Sequence, residues 1–119
     1  MNSPSVTDLS YASSTKILSV TFDTTEVFDL TAEYLRVESP SAEVQGHSPS
    51  EKKTIPGRKH VGIMSIKPIG NYAVQINFDD LHNTGFYTWE VLYKLGKDKA
   101  EIWAAYEADL ERLGLSRNP

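Results

Sequence analysis

Residues 68–95, PIGNYAVQINFDDLHNTGFYTWEVLYKL, constrain this chain more than any other stretch. Gly70-Asn71 is hairpin chemistry, because a tight turn needs backbone conformations that glycine and asparagine adopt most readily. After it, Tyr72, Val74, Ile76 and Phe78 alternate with Ala73, Gln75 and Asn77. This period-two pattern describes a strand with one apolar face, expected to be central in its sheet. The strand runs into an acidic turn, Asp79-Asp80-Leu81-His82. An aromatic-rich link then leads to a helical segment from Thr88 to Leu95, with Trp89, Leu92 and Leu95 on one side and Gly96 at its C′ position.

The flanking segments complete a small α+β domain. Leu18, Val20 and Phe22 alternate with Ile17, Ser19 and Thr21, and Asp23-Thr24-Thr25 turns the chain into a second short strand, EVFDL. Thr31 is suited to cap a short helix that carries Tyr34 and Leu35 toward the sheet, and Ser39-Pro40 stops that helix. VGIMSIKPI supplies the strand before the Gly70-Asn71 turn, with His60 at its start. Asp98 and Glu101 form a capping pair for the last helix, in which Trp103, Tyr106, Leu110 and Leu113 recur at helical spacing up to Gly114. Residues 1–15, rich in Ser and Thr, read as a mobile tail, residues 16–114 as the folded domain and residues 115–119 as a short C-terminal tail. The expected architecture is a single domain with a small antiparallel β-sheet packed against C-terminal helices.

Composition narrows the function. The chain has 119 residues and a net charge of −4, which argues against a nucleic-acid binder acting through its overall field. No apolar run is long enough for a membrane span, and the N-terminus lacks the basic and apolar regions of a secretory signal. There are no cysteines, so disulfides, thiolate metal sites and cysteine nucleophiles are excluded. A cytoplasmic setting is the expectation.

Three groups of residues have chemistry to offer. Asp79, Asp80 and His82 could bind a divalent ion or act as a base with its orienting partner. The same residues also suit a structural turn, with carboxylates accepting backbone N–H bonds, and that reading is favoured. His47 could join His82 and a carboxylate in a metal site, although sequence alone does not bring the two imidazoles together. Lys52, Lys53, Arg58, Lys59 and Lys67 lie in a window without acids, inside or just after the polar loop 45–60, QGHSPSEKKTIPGRKH. A solvated, mobile connection with exposed Lys52 and Lys53 is the plainer reading. Convergence of Lys52, Lys53 and Arg58 on an anion or an acidic partner is the functional one. The aromatic residues Phe86, Tyr87, Trp89, Tyr93, Trp103 and Tyr106 read as core before they read as a ligand pocket. No phosphate loop, nucleophile elbow or His-Glu-x-x-His motif is present.

Three strings carry a family resemblance: YLRVESPSAEVQGH at 34–47, IKPIGNYAVQINFDDLHNTGFYTW at 66–89, and the closing helix. They resemble the small domain found N-terminal to the catalytic domain of gamma-butyrobetaine hydroxylases. That domain also stands alone in bacteria as a domain of unknown function (DUF971-like) and occurs fused to P-loop iron–sulfur carriers. In the hydroxylases it is a zinc module. On this chain Leu35-Arg36 match the family's Leu-Arg pair, Ser39, Ser41 and Val44 stand at three cysteine positions, and His82 matches the histidine. Hydroxyls and a valine cannot replace thiolates on zinc, so the resemblance implies a lost metal site and no cofactor. It also implies that His82 lies beside Ser39 and Ser41, with apolar packing from Leu81, Phe86 and Trp89 holding the turn. The resulting expectation is a non-catalytic accessory or interaction module with a protein partner, assisting an iron–sulfur or oxygenase-related system. The alternative is a small metal- or ligand-binding enzyme using Asp79, Asp80 and His82.

Overall fold

A computed structural model describes residues 4–119. The α+β architecture is present, as two three-stranded antiparallel sheets rather than one. The first runs in the order β1 (Val6–Ala12), β2 (Ile17–Phe22), β3 (Val27–Thr31), and the second in the order β4 (Ile63–Ile69), β5 (Ala73–Phe78), β6 (Phe86–Thr88). Between them lie α1 (Ala32–Val37), α2 (Ala42–Gln45) and a 3-10 turn at Pro49–Glu51, and α3 (Trp89–Lys97) and α4 (Lys99–Leu113) close the chain. Leu18, Val20 and Leu30 from one sheet, Ile76, Phe78 and Tyr87 from the other, and Leu35 and Leu92 from helices share one buried cluster.

β5 is the central strand of its sheet, as its alternation predicts, with Val74, Ile76 and Phe78 buried. Tyr72 precedes the strand and is exposed. Trp89 and Leu92 join the same core, Trp89 only partly buried because its indole N–H reaches out to the Asn71 carbonyl at 2.8 Å. Thr31 caps α1 through its hydroxyl, which accepts from the Tyr34 amide at 3.1 Å. Every residue of α1 is buried.

Several expectations need correction. Residues 6–12 are not a mobile tail: they form β1, paired with β2 along its length. A register shift between Val6 and Asp8 puts two residues between the inward-leaning Val6 and Leu9, so the bulge breaks the alternation that would identify a strand. Residues 1–3 of that expected tail lie outside the described residues. Gly96 does not end its helix. It lies within α3, where the Phe28 ring occupies the space a Cβ would need, so glycine here permits helix and sheet to approach. Asp98 consequently becomes the joint between α3 and α4, and its side chain makes no cap bond. His60 lies in a turn before β4, its carbonyl accepting from Lys16 Nζ at 2.6 Å.

The 45–60 loop is tied down rather than merely solvated. The Lys53 amide donates to Val44 O at 2.7 Å, and the Tyr106 hydroxyl donates to Ile55 O at 2.5 Å. The C-terminal residues add a second tether, with Ser116 O accepting from Gly57 N at 2.9 Å and Arg117 O from Lys59 N at 3.0 Å. Arg117 is itself anchored by two hydrogen bonds to the buried Glu33, at 2.7 and 2.8 Å, and its guanidinium lies over the Trp103 ring. Within the C-terminal tail, Ser116 and Arg117 thus form a strap docked against the loop and Glu33.

Candidate functional site

The turn after β5 meets the segment after α1, some forty residues earlier in the chain. His82 Nε2 lies 2.9 Å from Ser39 Oγ and 3.4 Å from Ser41 Oγ, and the two hydroxyls are 3.1 Å apart. On the other side of the ring, Nδ1 is 3.5 Å from a Glu43 carboxylate oxygen. Gly85 lets this happen, because a Cβ there would collide with Ser39 Oγ. Ser39, Ser41, His82 and Val44 are all buried.

Beside this cluster, Asp80 is the hub of a charge network. Its Oδ2 accepts from Arg36 Nε at 2.8 Å and from Arg58 Nε at 2.7 Å, and its Oδ1 accepts from the His82 amide at 3.1 Å. Burial alone would raise this carboxyl, but these hydrogen bonds and the Arg36 charge hold it below the usual carboxylate range. Arg36 is buried, and its Nη1 has no hydrogen-bond partner. The turn is therefore held by ions and hydrogen bonds. Leu81 and Phe86, expected to supply apolar packing, are 79% and 53% exposed. Leu81 has φ of 73°, the left-handed region, and its side chain remains in solvent.

The remaining expected groups do not converge. Asp79 is an exposed residue whose amide donates to Gly62 O, and its carboxylate is outside the Asp80 network. His47 is exposed, with its amide bonded to Glu51 at 3.2 Å. Among the described residues no three His, Asp or Glu side chains are grouped to hold a metal ion, so His47 and His82 do not form the shared site considered above. At Ser39, Ser41, Val44 and His82, which the resemblance matches to zinc ligands, stand two hydroxyls hydrogen-bonded to an imidazole and one buried valine, a donor set that does not fit zinc. Lys52, Lys53 and Arg58 also part company: Lys52 pairs with the buried Glu38 at 2.6 Å, Arg58 with Asp80, and Lys53 with neither.

His82 titration gives the cluster a pH signature. Burial, with help from Arg36, holds the imidazole below its ordinary range against the opposing pull of Glu43 and Asp80. The unfolded chain, titrating near 6.5, then binds a proton that the folded chain resists. The contribution is complete above that value and is lost as pH falls toward the folded pKa. Urea unfolding should show stability declining as pH drops below about 6.5, and His82→Gln should remove that part of the decline. An unchanged profile in His82→Gln would mean the ring is not held neutral by the fold.

A separate groove lies between α3, α4 and the 37–54 segment, with a volume of about 460 Å³. Its apolar lining includes Val37, Val91, Leu95, Ile102, Ala105 and Tyr106, and Lys52, Lys53 and Lys94 stand among its polar residues. Glu38 also lines it, and burial raises its carboxyl above the usual range despite the Lys52 partner. Sequence reading missed this groove, because its lining comes from five separate segments.

The model of the family described as gamma-butyrobetaine hydroxylase-like, N-terminal, matches residues 9–93. Two solution NMR structures are similar over nearly the whole chain. One is 39% identical with a TM-score of 0.85, covering 99% of this chain and 93% of the other. The second is 42% identical with a TM-score of 0.86, covering 99% and 88%. A crystal structure of a DUF971 family protein of unknown function from Acidithiobacillus ferrooxidans is 33% identical with a TM-score of 0.66, covering 77% of this chain and 92% of that one. A search of curated proteins gave no match.

Proposed function

This chain belongs to the gamma-butyrobetaine hydroxylase-like N-terminal family, and we propose that it is a non-catalytic binding module serving a larger protein machine. The observation that carries this reading is the state of its most reactive-looking cluster. Asp80 already accepts from two arginines and an amide, and His82 is buried between two serine hydroxyls and Glu43. A general base must reach a substrate proton within about 3 Å, and a buried imidazole with its neighbours already in place is poorly set for that. An open, partly apolar groove lies between α3 and α4, and neither Asp80 nor His82 lines it. The proposed setting is the bacterial cytoplasm, assisting an iron–sulfur or oxygenase-related system, a step that rests on fold-level analogy. Among the described residues no helix is long and apolar enough to cross a membrane.

The rival is a small enzyme that binds a metal or ligand through Asp79, Asp80 and His82. Metal analysis of untagged protein, together with thermal melts in EDTA, separates the two. The module reading expects substoichiometric metal and an unchanged melting temperature. One ion per chain, lost in His82→Gln, would establish the rival.

A further inference from the structure

Resting on the reading of this chain as a binding module, we infer that the α3–α4 groove is the docking site for an acidic amphipathic helix of a partner protein. Two observations point there. The first is shape and chemistry. The apolar lining is contributed at helical spacings, Val91 and Leu95 on α3, and Ile102, Ala105 and Tyr106 on α4. Such a channel accepts side chains arriving at i, i+3, i+4 and i+7 from another helix. Ala105 is the smallest of these side chains, and it is exposed, so a larger incoming residue has room beside it.

The second is charge. The groove holds five charged residues, and their pairing is uneven. Glu38 is matched by Lys52 at 2.6 Å, and Asp109 by Arg112 at 3.3 Å. Lys53 and Lys94 have no carboxylate within 4 Å among the described residues. Two uncompensated cations thus stand on different elements, the 52–54 segment and α3, in a chain of net charge −4. A helix with an apolar stripe flanked by Asp or Glu satisfies lining and cations together. A basic helix would satisfy only the lining and would meet both lysines unfavourably.

The test uses the full chain and a synthetic peptide of about 15 residues, with leucines at i, i+3, i+4 and i+7 and glutamates flanking them. A second peptide carries lysines in place of the glutamates. Amide-shift mapping by NMR should show the acidic peptide binding saturably, with shifts confined to residues around Val37, Val91, Ile102 and Ala105, and the basic peptide failing. Lys53→Glu with Lys94→Glu should weaken the acidic peptide roughly tenfold, the scale expected for reversing two exposed charge pairs. Both lysines are exposed, so the variant should fold normally. Ala105→Trp should fill the groove and abolish binding. Equal binding of both peptides, no binding, or shifts elsewhere would overturn the inference. So would dodecanoate occupying the groove when the acidic peptide does not, or self-association lost in Ala105→Trp, since these assign the groove to a small amphiphile or to a second copy. A native partner that remains bound to the Lys53→Glu, Lys94→Glu variant would remove the groove from the account and leave the module reading standing. Stoichiometric metal would remove the module reading itself.

Discussion

Asp80→Ala should destabilise the protein by about 3 kcal/mol, the lower end of the range for breaking a buried ion pair, because the Asp80 side chain keeps 21% exposure. The damage falls on Arg36. Its side chain is 9% exposed, its Nη1 already lacks a partner, and Asp80 accepts from its Nε. Removing the carboxylate leaves a buried guanidinium without its counter-charge and takes away the acceptor that fixes the His82 amide. Asp79→Ala, one residue earlier and exposed, should change stability by less than about 0.5 kcal/mol. A double variant, Arg36→Met with Asp80→Ala, should recover part of the loss, since the uncompensated charge is then gone. Urea unfolding of the four proteins measures all of this. A loss below about 1 kcal/mol in Asp80→Ala would place the network among ordinary surface ion pairs.

Ile76→Ala should cost about 2–5 kcal/mol, the range for truncating a buried aliphatic side chain. Ile76 is fully buried on the central strand of its sheet and shares a cluster with Leu18 and Leu30 of the other sheet and with Leu92 of α3. The cavity would therefore open where both sheets and a helix meet, and little can relax into it without moving several elements. Against a total stability of about 5–15 kcal/mol this is a large fraction. A loss under 1 kcal/mol in chemical denaturation would contradict the assignment of the β5 faces.

The parts of the fold that were legible in the sequence are those with unbroken periodicity. β2 and β5 keep one period along their length and lie where it implies, and α4 does so through Tyr106 and Leu110, whereas Leu113 at its end is exposed. β1 was hidden because its bulge puts two residues instead of one between Val6 and Leu9, in a stretch rich in serine and threonine. Gly96 misled because a glycine after a helical run usually marks an end, whereas here Phe28 needs the space. The meeting of His82 with Ser39 and Ser41 could be anticipated only from the family strings, since spacing carries no information about contacts over forty residues. The roles of Arg36, Glu38 and Glu33 were not legible at all. Buried charges have no pattern of their own, and their partners, Asp80, Lys52 and Arg117, come from other parts of the chain.

The strap formed by Ser116 and Arg117 ties the loop that follows Lys53 to the far end of the polypeptide. Those two carbonyls hold the Gly57 and Lys59 amides, and the segment they hold continues from the one that brings Lys53 to the groove. Deleting the last few residues would remove neither lysine nor any lining side chain, yet it would free the backbone at Gly57 and Lys59, a few residues beyond Lys53. Faster amide exchange at Gly57 and Lys59 would report that release directly. Truncation at this end is therefore not neutral in this protein, although every side chain that lines the groove survives it.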